Sequence, residues 1–212
     1  MSNEEVYSAA LRGERCTVLG LAGDAVHMPV ERWSADADAS DNRVLDHCKG
    51  STIDIGCGPG RMTVELTLRG AQALGIDLAA EAVAQARARG ASAVVGDVFE
   101  QVPFEGEWDT ALLADGNIGI GGDPVALLRR ARGLLHSRGR VVVDLAAPGS
   151  GHVRMTPRLK VGELTSEPFA WSLVAPEAVH AVAAEAGYRV RSVEQVGARW
   201  FADLRVGRSR CR

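Results

Sequence analysis

Between about residues 50 and 145 the chain alternates short, nearly unbroken apolar runs with stretches of helical periodicity, and this alternation constrains its fold most. "STIDIG" (51–56), "AQALGID" (71–77), "ASAVVGD" (91–97), "EWDTALLAD" (107–115) and "RVVVDLA" (140–146) read as five strands. A helix from about 60 to 69 separates the first two. The Ala-rich "AAEAVAQARARG" follows the second, with Gly90 placed as its C-terminal cap. "DPVALLRRARGLLHSRG" opens with Asp123 as N-cap and Pro124 at the first helical position. Strands without polar alternation are buried on both faces, so the expected fold is α/β, with a parallel sheet covered on both sides.

The flanks read differently. "APEAVHAVAAEAGY" is a helix begun by Pro176 and ended near Gly187. "RVRSVEQV" and "RWFADLRV" alternate polar and apolar residues, which makes them a hairpin on an antiparallel edge of the sheet. The first 45 or so residues hold a helix near 4–11 and the acidic run "ERWSADADASD". The connection from about 147 to 174 is far longer than the usual four to six residues, as lids and binding loops often are, and "RLKVGEL" within it suggests a small extra strand or hairpin.

With 212 residues, 46% of them apolar, the chain can bury one sizeable core, and a single domain is the simplest reading. No apolar run approaches the ~20 residues that span a bilayer, and "MSNEEVYSAALRGER" has no signal-peptide core, so a cytoplasmic protein is expected. A net charge of −3 gives no footprint for nucleic acid. The basic end "RVGRSRCR" reads as a frayed terminus. Cys16, Cys48, Cys57 and Cys211 form no CxxC pair, and His27, His47, His136, His152 and His180 form no HxxxH pair, so no metal is expected.

Two glycine-rich loops compete for a ligand: "DIGCGPG" (54–60) and "LLADGNIGIGGDP" (112–124). In the first, Gly56, Gly58 and Gly60 stand at alternate positions, Arg61 is the third residue after Gly58, and Asp54 stands two residues before Gly56. The dinucleotide fingerprint G-x-G-x-x-G is therefore not met. An acid beside the loop repels pyrophosphate and suits a ligand end carrying an ammonium group. The loop resembles the first motif, (D/E)-x-G-x-G-x-G, of class I S-adenosylmethionine-dependent methyltransferases, and matches it at every fixed position. Asp77 ends the second strand 21 positions after Gly56, where a carboxylate can accept hydrogen bonds from both ribose hydroxyls. Asp97 ends the third.

The resemblance implies a Rossmann-like three-layer sandwich with a seven-stranded, mostly parallel sheet in the order 3-2-1-4-5-7-6 and an antiparallel last strand. It also implies that S-adenosyl-L-methionine is the cofactor and S-adenosyl-L-homocysteine the product. Carried onto this chain, the cofactor residues are Asp54, Gly56, Cys57, Gly58, Gly60, Asp77, Leu78, Asp97, Val98 and Asp115. Asp97 meets the adenine amino group, the amide of Val98 meets a ring nitrogen, and Asp54 acts through the loop backbone or a water near the methionine ammonium. Residues 1–46 become a helical cover of the active site, 47–212 the methyltransferase domain, and 147–174 an acceptor-side insertion.

The second loop lacks the lysine and Ser/Thr of a P-loop and carries an acid at each end, Asp115 and Asp123, which is poor chemistry for an anion. It follows the fourth strand, beside the point where open α/β sheets place ligands. Asp115, Gly116 and Asn117 are read as the floor between cofactor and acceptor. The plainer reading makes the glycines a turn before the helix at 124. The family's nucleic-acid and protein-amide branches often carry (N/D)-P-P-(Y/F) here, whereas this chain has "DGNI".

Methyl transfer from a sulfonium needs mainly proximity, alignment and exclusion of water, with a general base only for a protonated acceptor. Base candidates are Asp115, His27 and His152. Trp33 and Trp171, with Phe169, can stack on a flat acceptor, although core packing is the default for such residues. Trp200 reads as hairpin core. The expected protein transfers a methyl group to a small molecule, without nucleic-acid or membrane partners, as a monomer or homodimer. The alternatives are a non-catalytic adenosylmethionine-binding protein and, against the Gly60 spacing, a nicotinamide oxidoreductase.

Overall fold

The computed structural model describes residues 1–21 and 24–207; the rest of the basic end, from 208 on and including Cys211, lies outside them. The chain opens with α1 (Asn3–Leu11), begun by a capping box in which Ser2 and Glu5 exchange hydrogen bonds. It continues through β1 (Cys16–Leu21), β2 (Asp24–His27), α2 (Val30–Ser34) and α3 (Ala39–Leu45). Next come β3 (Thr52–Ile55), α4 (Arg61–Leu68), β4 (Ala73–Asp77), α5 (Ala80–Ala88), β5 (Ala93–Val95) and β6 (Trp108–Leu113). A 3-10 stretch over Asn117–Gly122 leads into α6 (Pro124–Leu134), with Asp123 capping it as expected, and β7 (Leu135–Leu145). The chain ends with β8 (His152–Met155), β9 (Arg158–Val161), β10 (Leu164–Thr165), β11 (Trp171–Val174), α7 (Pro176–Glu185), β12 (Tyr188–Val196) and β13 (Arg199–Val206).

Seven strands form the central sheet in the order β5-β4-β3-β6-β7-β13-β12, which is the expected 3-2-1-4-5-7-6. β13 runs antiparallel to both neighbours, and the other pairings are parallel. Alternation along β3 sends Ile53 and Ile55 into the core under α6 and α7, and turns Asp54 toward α4. Val44, Leu45, Met62 and Leu66 of α3 and α4 cover the opposite face with Leu112, Val142 and Phe201. The strand expected at 140–146 begins earlier, at Leu135. Buried Leu135 pairs with Trp108, and the Arg138 amide turns back onto His136 Nδ1 at 2.9 Å, before regular pairing resumes at Arg140.

The segment before residue 46 is not only helical. β1 pairs with β2 and with β9, giving a four-stranded antiparallel sheet, β10-β9-β1-β2, while β8 and β11 pair separately. Cys16 faces Val161 and Leu19 faces Arg158, so the chain's start and the long connection are one cap. Its core of Val6, Ala9, Ala10, Val30, Leu159 and Val161 rests on Ala79 and Ala82 at the start of α5. The Gln85 amide fixes it further by donating to the Leu11 carbonyl at 3.0 Å.

Candidate active site

Strand order reverses between β3 and β6, and both glycine loops leave the sheet at the carboxyl ends of these two strands, where a crevice opens. The loops touch. Asn117 Nδ2 donates to the Ile55 carbonyl at 2.9 Å and the Gly56 carbonyl at 2.8 Å, so the second loop props the first. A Cβ on Gly56 would stand 2.7 Å from that amide nitrogen, at a φ of +72° that disfavours any side chain. The glycines of the second loop have packing reasons of their own. A Cβ on Gly119 would stand 2.6 Å from the Trp171 indole nitrogen, and one on Gly122 would stand 2.8 Å from Ala170 Cβ. Ser172 Oγ donates to the Gly122 carbonyl at 2.7 Å. The second loop is thus a seat for β11 and a prop for the first loop.

A cavity of 430 Å³ opens over the first loop, within the size range of small-ligand sites. Of the cofactor residues expected from the motif, Asp54, Gly56, Cys57, Gly58, Asp77, Leu78, Asp97, Val98 and Asp115 line it. Gly60 does not; it is the left-handed N-cap of α4, packed 2.8 Å (from a Cβ) against Ala86. Asp77 holds the loop directly: Oδ2 accepts from the Gly58 amide at 2.9 Å and Oδ1 from the Ala79 amide at 2.9 Å. Each oxygen keeps a second lone pair for a ligand hydroxyl. Asp97 Oδ1 accepts from the Phe99 amide at 2.9 Å.

Asp54 is buried and accepts a 2.7 Å hydrogen bond from Thr63 Oγ1. Burial pushes its carboxyl up to about 7. A carboxyl raised in the folded state holds a proton there that the unfolded chain has lost, so stability is full below the ordinary value near 3.8 and is lost as pH rises through about 7. Burial raises Asp77 and Asp144 in the same direction. In urea titrations of the ligand-free protein Asp54 should therefore contribute a loss of stability between pH 4 and 7, seen in the difference from an Asp54→Asn variant. Asp54→Asn should flatten part of that slope; an unchanged slope contradicts the assignment.

Asp115 does not stand free. It sits at a φ of +51°, with its amide donating to Asp144 Oδ2 at 2.6 Å and its carboxylate ion-paired to Arg61. Arg61 also pairs with Asp41, which pairs in turn with Arg199, and Arg199 clamps Asp144. Burial alone would raise Asp41, but its hydrogen bonds to Arg61, the Asp38 amide and Arg199 hold it below the usual carboxylate range. A carboxylate so engaged is poorly placed to take a proton from an acceptor.

The histidines fare no better as bases. His27 lies on exposed β2 with Nδ1 3.1 Å from the Cys16 carbonyl, and does not line the cavity. His152 begins β8 and lines a separate surface hollow with Arg129 and Arg154. Their sequence positions in the cover and the insertion were correct, but both rings lie outside the cavity formed by those segments. Gly116 faces a third hollow of 350 Å³, shared with Asp115, Asp144 and Arg199. Among the described residues no three metal-ligating side chains cluster.

Trp33 and Trp171 do reach the cavity. Trp33 stands edge to Tyr7 with ring centroids 6.0 Å apart, and Trp171 stands edge to Phe169 at 6.1 Å. Trp200 is partly buried against the main core. Tyr7, Met28 and Leu159 also line the cavity and were not legible as site residues. Tyr7 is one position from the buried stripe of α1, and only its isolation as an aromatic on that helix hinted at it. Arg61 drew notice only for its spacing.

Residues 53–143 match a family model described as a methyltransferase domain. That stretch runs from β3 to β7 of the central sheet. The match bears out the class I S-adenosylmethionine-dependent resemblance drawn from "DIGCGPG", and the sheet has that fold's strand order. No curated protein matches the sequence. Among solved structures, the chain is similar to a SAM-dependent methyltransferase from Bacteroides fragilis in complex with S-adenosyl-L-homocysteine, at 21% identity and a TM-score of 0.83 over 98% of this chain and 97% of that one. It is similar to the Burkholderia thailandensis 1,6-didemethyltoxoflavin-N1-methyltransferase at 16% identity and a TM-score of 0.63, covering 84% and 81%. The CcbJ methyltransferase from Streptomyces caelestis aligns at 13% identity and a TM-score of 0.62, covering 82% and 92%. The B. fragilis likeness spans the cap as well as the sheet.

Proposed function

We propose that this chain is an S-adenosylmethionine-dependent methyltransferase acting on a small molecule, with residues 1–46 and 147–174 as the cover over its acceptor side. The observation that carries this reading is one cavity with two chemically different halves. One half is the glycine-rich first loop, tied to Asp77. The other is lined by aromatic rings from the cap.

The donor set suits adenosylmethionine. Asp77 offers acceptors to ribose hydroxyls, Asp54 is buried at the start of the loop against Thr63, and Asp97 and Val98 would close the adenine end. When bound, the cofactor supplies an activated methyl group on a sulfonium. The protein's share is orientation: Asp77 and Asn117 hold the loop, and the cap walls the acceptor side of the cavity. Of the lining carboxylates only Glu4, on the exposed side of α1, has no partner among the described residues. Burial raises the Tyr7 phenol and the Cys57 thiol, so both stay protonated, and Asp115 is held by Arg61.

The test is release of S-adenosylhomocysteine from adenosylmethionine across a panel of small acceptors. Turnover with at least one member is the expected result. Tight cofactor binding without turnover across a broad panel favours a non-catalytic adenosylmethionine-binding protein.

A further inference from the structure

The cavity's acceptor half combines two features that together restrict what can occupy it. The first is shape. Tyr7 and Trp33 come from the N-terminal part of the cap, Phe169 and Trp171 from the other part, and all four half-buried rings line one cavity, with Tyr7, Trp33 and Phe169 also packing against the cap's own core. Paired edge-to-face rings from two walls form slots for a flat ring system. The second is charge. The cavity lining carries five acids, Glu4, Asp54, Asp77, Asp97 and Asp115, of which burial raises Asp54 and Asp77 toward the neutral form, against one basic residue, Arg61, which is committed to Asp41 and Asp115. Such a cavity repels anionic acceptors and tolerates neutral or cationic ones.

Resting on the methyltransferase reading, we infer that the acceptor is an uncharged planar nitrogen heteroaromatic or aryl amine, methylated on nitrogen. A hydroxyl acceptor must lose a proton as it reacts, and four of the five lining acids are already engaged, Asp54 by Thr63, Asp77 by two loop amides, Asp97 by the Phe99 amide and Asp115 by Arg61, which leaves Glu4 on the exposed side of α1. A carboxylate or phenolate would need no base, but it meets the cavity's negative charge. A neutral nitrogen needs neither. Its lone pair forms the new N–C bond while the C–S bond breaks with its electron pair remaining on sulfur. The positive charge thus moves from sulfur to nitrogen, and an N–H proton, where one is present, leaves afterwards to water. Aromatic faces and carboxylates favour a cation at either position, so the lining serves both ends of the transfer.

The experiment is calorimetric titration of protein saturated with S-adenosylhomocysteine, using three flat probes of like shape: quinoline, N-methylquinolinium and 2-naphthoate. The first two are expected to bind at least about tenfold more tightly than naphthoate. Trp33→Leu should weaken both by about tenfold or more and leave S-adenosylhomocysteine affinity within about twofold. Trp171→Leu gives a second reading from the other wall. Naphthoate binding as tightly as quinoline, none of the three probes binding, or quinoline affinity indifferent to Trp33 would overturn the acceptor assignment alone. Failure of S-adenosylhomocysteine itself to bind overturns the methyltransferase reading and the acceptor assignment with it.

Discussion

Arg199→Met is expected to lower unfolding free energy by about 3–5 kcal/mol, measured by urea denaturation near neutral pH. Arg199 reaches the buried network from β13. Its Nε lies 3.0 Å from each oxygen of Asp144, and its terminal nitrogens pair with Asp41 and Asp144. Asp41 is 1% exposed and Asp144 4% exposed, so neither carboxylate can recover water when the guanidinium is removed. Asp144 would keep only the Asp115 amide, and Asp41 would depend on Arg61 and the more distant Arg32, 3.5 Å away. The pH dependence has a definite sign. Removing the cation raises both carboxyls in the folded state, so the variant's deficit should grow as pH rises from about 5 to 8 and shrink in acid. Arg12→Ala is a control, because its 3.8 Å contact with Glu81 is exposed and should contribute about 0.5 kcal/mol or less. A deficit for Arg199→Met no larger than the control's contradicts the account of the network.

Asp77→Ala should reduce affinity for S-adenosylhomocysteine by about 100-fold, or ~3 kcal/mol, in calorimetric titration. Two losses combine. The ligand loses the acceptor for its hydroxyls, and the amides of Gly58 and Ala79 lose the acceptor that holds the loop in shape. Asp77→Asn separates them: its amide offers one oxygen for two N–H groups and turns a donor toward the other, so it too should bind weakly despite similar size. Unaltered affinity in both variants would remove Asp77 from the site. The Asp115→Asn substitution should spare cofactor affinity, since Arg61 keeps Asp41, and should alter turnover through the Asp115–Asn117 turn.

The parallel sheet was legible because β3, β6 and β7 are buried on both faces and so read as unbroken apolar runs. The glycine loop that lines the cavity was legible because its pattern is local: glycines and an acid within seven residues, then an acid at each of two strand ends. The cap was not. β1 and β9 pair across most of the chain's length, and neither segment carries a turn or period that names its partner. The two histidines failed as candidates for a related reason. Sequence position put them on the covering segments, but pairing within the cap decides which side of a short strand faces the cavity. Trp33 and Trp171 followed the opposite course, with core packing as the default reading for large aromatics until the cap's two parts brought them to one cavity. Gly119 and Gly122 belong to tertiary packing against Ala170–Ser172, which no local rule announces.

Calorimetric titration of the unmodified chain with S-adenosyl-L-homocysteine, beside a parallel titration with NAD, tests the central claim most directly. Saturable binding of one S-adenosylhomocysteine per chain is expected, with Kd of about 10 μM or tighter, and no detectable NAD binding. Binding of NAD with no uptake of S-adenosylhomocysteine would contradict that claim.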